Sequence, residues 1–208
     1  MDTRRNRPLR DREARKGDLG RRIPRRIGSS TVAVKLPPAR RRRRAFAIAC
    51  PWVMQGNPQV IQALNDLLTG ELTSMDVYLL HAQMCEDWGH RKIAERLAHE
   101  FDDEKAHACK LIERIIFLGG TPNMASRDAF EVGDNVEAML RADLELEYVV
   151  ANNLNDAIRL AVDSGDNVTR EMLVELLRDT EEDHILWLET QLRLIDTVGL
   201  EHYLQEQM

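Results

Sequence analysis

Apolar side chains return every three or four residues in four stretches of this chain: Leu64, Leu67, Leu68, Leu72, Met75, Tyr78 and Leu79; Ile93, Leu97, Phe101, Ala108, Leu111 and Ile115; Val136, Leu140, Leu144, Ala151, Leu154 and Ile158; Leu173, Leu176, Leu177, Leu188, Leu192 and Ile195. That period lines one face of an α-helix, so the pattern predicts four long amphipathic helices. Local signals set their ends. Asn57-Pro58 reads as an N-cap followed by proline at the first helical position, and the first helix continues to about Asp87, before Trp88-Gly89. The second runs from about His90 to Leu118 and stops at Gly119-Gly120-Thr121-Pro122. The third covers about Asn135 to Val162, and Ser164-Gly165-Asp166-Asn167 turns into a fourth, about Val168 to Val198. A short tail helix, about Leu200 to Gln205, follows Gly199. No stretch alternates with period two over a useful length, so the expected fold is all-α: a four-helix bundle with a fifth, short C-terminal helix. Short turns make helices one and two, and three and four, antiparallel neighbours, while Gly119 to Asp134 is long enough to cross the bundle lengthwise.

Charged residues interrupt these stripes on their inner side. Glu71, Glu104, Glu147 and Glu181 each fall among the apolar positions, and His107 and His184 follow the second and fourth of them as Glu-x-x-His. The two Glu-x-x-His quartets stand 33 and 34 residues after Glu71 and Glu147, so the halves of the chain repeat one set. Residues three apart on a helix lie about 4.5 Å apart along its axis and nearly on one face, so each Glu and its His can reach a common point. With 18 Glu and 6 His in 208 residues, random placement yields roughly 0.5 such quartets, so two on core stripes, each with an upstream Glu, carry information. A buried carboxylate without a partner costs several kcal/mol, and four at one level of a core require neutralisation by something cationic. Four carboxylates and two imidazoles supply a first coordination shell for two adjacent iron-sized cations.

Charge divides the chain. Residues 1–53 carry 17 Lys and Arg against 4 Asp and Glu, a balance of +13, whereas the remainder carries 12 against 31, a balance of −19, giving −6 overall. Residues 54–208 are therefore read as the folded unit. The basic segment, with the run Arg40 to Arg44, is too poor in core-forming side chains to offset its ordering entropy and is expected to be disordered. It offers the only expected contact with nucleic acid, through phosphates. Because Met54 opens the recognisable helical part, a misassigned start upstream of it is an equally direct expectation. Ala45 to Met54, broken by Pro51, is too short to cross a bilayer, and the apolar run before Cys50 is too short for a lipoprotein signal. Cys50, Cys85 and Cys109 form no even-numbered framework and no Cys-x-x-Cys pair, which fits a reducing cytoplasm.

These features resemble the ferritin superfamily and, more closely, its bacterioferritin family. The resemblance covers residues 54–208 and is carried by Met54 to Leu68, Tyr78-Leu79-Leu80-His81-Ala82, Ile112-Glu113-Arg114-Ile115, Met139-Leu140-Arg141 and Trp187-Leu188-Glu189-Thr190, besides the six candidate ligands. It implies that Glu71 and Glu147 are terminal carboxylates of a di-iron ferroxidase centre, Glu104 and Glu181 bridging ones, and His107 and His184 its imidazole ligands. It further implies an inner-surface iron site at His99 and Asp103, a tyrosine, Tyr78, beside the iron pair, and a shell of 24 subunits with the tail helix at its fourfold axis. A ferredoxin-type reductant for iron release belongs to the same expectation. In one place the chain departs from the family. The methionine that binds haem between subunits, directly after the first bridging Glu, is here Lys105, whose ammonium is a poor replacement for a thioether. No haem is expected in this subunit alone, although a haem-carrying sister subunit in a mixed shell would restore one.

The expected function is iron storage and detoxification: Fe(II) oxidised by O2 or H2O2 at the paired site and mineralised as Fe(III) within an acidic shell. A passive iron-sequestering or DNA-protecting shell subunit is the alternative. A rubrerythrin-like peroxidase would bring a Cys-x-x-Cys module, which the sequence lacks.

Overall fold

The structure, a computed structural model, describes residues 55–208; the basic segment and the question of a start at Met54 lie outside the described residues. Helix α1 (Pro58–Asp87) begins where the Asn57 side chain accepts a hydrogen bond from the Gln59 amide at 2.8 Å, and Pro58 follows with no amide to satisfy. Helix α2 (Arg91–Phe117) returns after a tight turn through Gly89. Helix α3 (Val136–Asp163) is capped by Asn135, which accepts from the Ala138 amide at 3.0 Å. Gly165, at φ 70°, supplies the left-handed step into α4 (Asn167–Asp179), whose cap Asp166 accepts from the Thr169 amide. Then come a π-helical turn (Thr180–Ile185), α5 (Leu186–Val198) and α6 (Leu200–Gln205). Among the described residues there is no strand, and no helix is long and apolar enough to cross a membrane.

Helix α1 lies along α2, α3 lies along the α4–α5 rod, and α1 also packs on α3, which closes the four-rod bundle. The connection from α2 to α3 runs lengthwise over α1. Asn65 accepts from the Asn123 amide, Thr73 accepts from the Asp128 amide and Asp76 pairs with Arg127 at 2.8 Å, three contacts that follow α1 for about 16 Å. Helix α6 folds back on the start of α2. The Lys92 amide donates to the Gln207 carbonyl, and buried Tyr203 donates to Gln191.

The apolar core has two parts. One contains Leu64, Leu68, Leu72, Leu111, Ile115, Leu154 and Leu176; the other contains Tyr78, Leu97, Met139, Leu140, Leu188 and Leu192. Along every rod the residues between these two parts are polar and buried: Glu71 and Ser74 on α1, Glu100, Glu104 and His107 on α2, Asp143 and Glu147 on α3, Thr180 and His184 on the π turn.

That π turn changes which side chains of the fourth rod face inward. The buried positions run Leu176, Thr180, His184, Leu188, Leu192, four successive steps of four residues. At about 100° per residue an α-helix would drift roughly 160° over those sixteen residues and carry the stripe out to solvent. The wider i→i+5 turn absorbs the drift. Glu181 is the residue displaced. The expectation that it points inward holds for an uninterrupted α-helix from Leu177 to Leu188, but in the structure it is exposed and Thr180 takes the inner position.

Candidate metal centre

Glu104 sits at the middle of the polar level, with its two oxygens turned to different imidazoles. Its Oε2 lies 3.2 Å from His107 Nδ1 and its Oε1 lies 3.2 Å from His184 Nδ1. Glu71 Oε2 approaches His107 Nδ1 at 3.9 Å on one side, and Glu147 Oε2 approaches His184 Nδ1 at 3.5 Å on the other. Two groups of converging donor atoms result, Glu71–Glu104–His107 and Glu104–Glu147–His184, every member buried and Glu104 common to both. The imidazole rings are nearly parallel, with centroids 5.7 Å apart. Five of the six expected ligands thus come together from α1, α2, α3 and the π turn; Glu181 does not join them.

A ring of further polar groups orients these side chains. Tyr78 donates to Glu147 Oε1 at 2.5 Å. His107 Nε2 lies 2.8 Å from Asp179 Oδ2, and His184 Nε2 lies 3.1 Å from Glu100 Oε2, so each imidazole has a carboxylate behind it, the usual arrangement for a metal-binding histidine. One step further, His81 Nδ1 and Asp143 Oδ1 form a fully buried pair at 2.8 Å. Glu100 was legible in principle: it is four residues before Glu104 on the stripe that contains Ile93 and Leu97. Asp179 gave no such signal, because it stands at the head of a largely acidic run and off the positions of the apolar stripe.

The electrostatics favour positive charge at this level. Both oxygens of Glu71, Oε1 of Glu104, Oε2 of Glu147 and both nitrogens of His184 are buried, close to neighbours, and yet out of hydrogen-bonding alignment. Burial pushes the Glu71 carboxyl well above its usual range, and neighbouring Glu104 adds to the effect. Glu104 is raised by burial and by Glu147, and Glu100 by burial to about 7 despite His184 and Arg96. At His184 burial favours the neutral ring, but Glu104 and Glu147 outweigh it and push the ring up to about 12. Burial also raises Tyr78, with Glu147 reinforcing it. Protons thus stand in for positive charge, and the oxygen and imidazole donors fit iron-sized divalent ions.

His99 is exposed and Asp103 half-buried, with His99 Nε2 3.4 Å from Asp103 Oδ2. Lys105 is exposed as well, 3.9 Å from Asp102.

A four-rod bundle carrying carboxylates and paired histidines at its mid-level defines a ferritin-like metal protein. Residues 61–198 match the family model of the ferritin-like domain. The chain is 50% identical over 155 residues to a bacterial ferritin of Pseudomonas aeruginosa, covering 74% of this chain and all of that protein. It is 47% identical over 155 residues to a bacterial ferritin of Synechocystis, covering 74% and 99%. A bacterioferritin of Mycolicibacterium paratuberculosis is 39% identical over 150 residues, covering 72% and 94%. The chain belongs to the bacterioferritin family of ferritin-like proteins.

Proposed function

We propose that this protein stores iron and is a ferroxidase subunit of an oligomeric shell. Two Fe(II) ions bind at the two donor groups that share Glu104, and each gives one electron to the oxidant. With H2O2 the balance is 2 Fe(II) + H2O2 + 2 H+ → 2 Fe(III) + 2 H2O; with O2 the two electrons and two protons yield H2O2. The observation that carries this reading is Glu104 presenting one oxygen to each histidine, which suits two cations about 3.5–4 Å apart. The chain's own groups hold and orient: Glu71 and Glu147 close the two ends, and Asp179 and Glu100 fix the ring orientations. Tyr78 keeps Glu147 in place through its hydroxyl.

The acidic balance of residues 54–208 supports a cation-concentrating shell. Exposed Leu79, Leu80, Tyr148 and Val149 supply apolar surface for contacts between subunits. In this reading the shell has 24 subunits, alone or mixed with a haem-carrying sister, works in the cytoplasm, takes Fe(II) with O2 or H2O2, and accepts electrons from a ferredoxin-type donor for release. Lys105 leaves this subunit without its own haem ligand. His99 and Asp103 are the proposed inner-surface iron site. Any nucleic-acid contact belongs to residues 1–53.

Stopped-flow oxidation at two Fe(II) per subunit tests the proposal. Fast oxidation that disappears in Glu104→Ala and His184→Ala supports it; slow oxidation indifferent to both supports the passive shell instead.

A further inference from the structure

We infer that the core of the bundle carries a second kind of cation site, a soft one for Cu(I), formed by the Cys85 thiol, the Met139 thioether and Nε2 of His81. Helices α1 and α3 meet in three successive cross-rod pairs about one turn apart: Tyr78 with Glu147 at 2.5 Å, His81 with Asp143 at 2.8 Å and Cys85 with Met139 at 3.9 Å. The first pair belongs to the carboxylate centre. The third lies two turns further along α1, about 10 Å away, and offers sulfur alone. Ala82, Ile93, Leu97 and Leu188 share its apolar cluster.

Two independent observations point to a ligand. One is the contact of two buried sulfurs from different rods. The other is His81, which is fully buried with Nδ1 held by Asp143 Oδ1, while its Nε2 has no hydrogen-bond partner. A carboxylate behind one imidazole nitrogen fixes the ring and leaves the other nitrogen to a metal. Residues 81 and 85 are four apart, so the imidazole and the thiol share one face of α1; Met139 and Asp143 stand four apart on the facing side of α3. A buried nitrogen without a partner is costly, and a cation on its lone pair removes that cost. Thiolate, thioether and imidazole donors select Cu(I), whereas carboxylates suit harder ions, so the bundle sorts cations by softness at two levels. Burial pushes the Cys85 thiol up to about 11, so the metal-free chain holds it neutral, donating to Met139 Sδ. Binding exchanges that proton for the ion, Cys–SH + Cu(I) → Cys–S–Cu(I) + H+, which frees both sulfurs to face it and changes no oxidation state. The site does not rest on the ferroxidase reading.

The test uses the full-length chain with Cys50→Ser/Cys109→Ser, which leaves Cys85 as the remaining thiol. Anaerobic titration with Cu(I) against a chromophoric Cu(I) chelator gives the affinity, native mass spectrometry the stoichiometry and X-ray absorption the donor atoms. The expected result is one Cu(I) per subunit, bound by two sulfurs and one nitrogen. Cys85→Ala abolishes binding. Asp143→Asn, which weakens the support behind His81, lowers the affinity by roughly 10–100-fold. Met139→Leu, close in volume, lowers it too and removes one sulfur from the absorption spectrum. Circular dichroism melting confirms that each variant is folded, and where Cys85→Ala is not, Met139→Leu decides. No retained Cu(I), a Cu(I) that survives Cys85→Ala or Met139→Leu unchanged, or a spectrum without nitrogen overturns the inference. Glu71→Ala/His107→Ala breaks the paired centre and is expected to keep the Cu(I); its loss there would place the ion at the paired centre and equally overturn this site.

Discussion

Tyr78 and Glu147 meet at 2.5 Å in the buried middle of the bundle, a hydroxyl from α1 donating to a carboxylate from α3. The contact leaves Glu147 one oxygen, Oε2, to turn towards His184, so a tyrosine outside the donor groups fixes which oxygen is offered to a cation. Tyr78→Phe removes the donor and strands Glu147 Oε1, at a cost of about 1–3 kcal/mol. The expected outcome is a lower melting temperature for the metal-free protein, two Co(II) ions still bound, and several-fold slower Fe(II) oxidation. A loss of stoichiometry would instead make Tyr78 part of the metal-holding set.

Glu104→Ala and Glu181→Ala should differ. Glu104 belongs to both donor groups, so its truncation abolishes fast oxidation and removes one of two tightly bound ions. Glu181 is exposed on the π turn, and its truncation is expected to leave both ions bound and to reduce the rate less than Glu104→Ala does. Equal loss in both would mean that the π turn changes register when the centre is loaded.

Metal-free stability should fall as pH rises. Glu71, Glu104, Glu100 and His184 all have folded-state pKa values above their ordinary ones, so the folded chain holds more protons than the unfolded chain. The carboxyl contribution is complete below about 4.5 and is lost as pH passes the folded values, near 7 for Glu100; that of His184 declines from 6.5 towards about 12. Thermal melts between pH 5 and 8 check the slope. A bound cation displaces these protons, so Co(II) affinity rises with pH, and calorimetry in buffers of different ionisation enthalpy should register proton release. A metal-free protein that grows more stable across that range would contradict this electrostatic account.

His81 and Asp143 are a structural pair. His81→Leu leaves a buried carboxylate without its partner, an expected loss of about 3–5 kcal/mol, while His81→Leu/Asp143→Leu restores much of it. Denaturant titration of the metal-free protein measures both.

The sequence by itself determined the rods and most of their inward-facing chemistry, because helix periodicity and caps act within a few residues. Helix α1 ends at Asp87 and α6 spans Leu200–Gln205 as the pattern predicts, and α2 and α3 fall within a residue of their expected limits. Glu71, Glu104, His107, Glu147 and His184 were legible as interruptions of apolar stripes, since a charge on a core face is costly unless a partner or a cation neutralises it. Tertiary structure alone decided the phase of the fourth rod. Whether its residues step by α or π turns depends on keeping Leu176, Leu188 and Leu192 packed against α3 and their other neighbours at once, and the widened turn that achieves this puts Thr180 inside and Glu181 outside. The same holds for the contact of Arg96 with Asp183, which joins two rods far apart along the chain, whereas the pairing of Arg96 with Glu100 lies one turn away on the same helix.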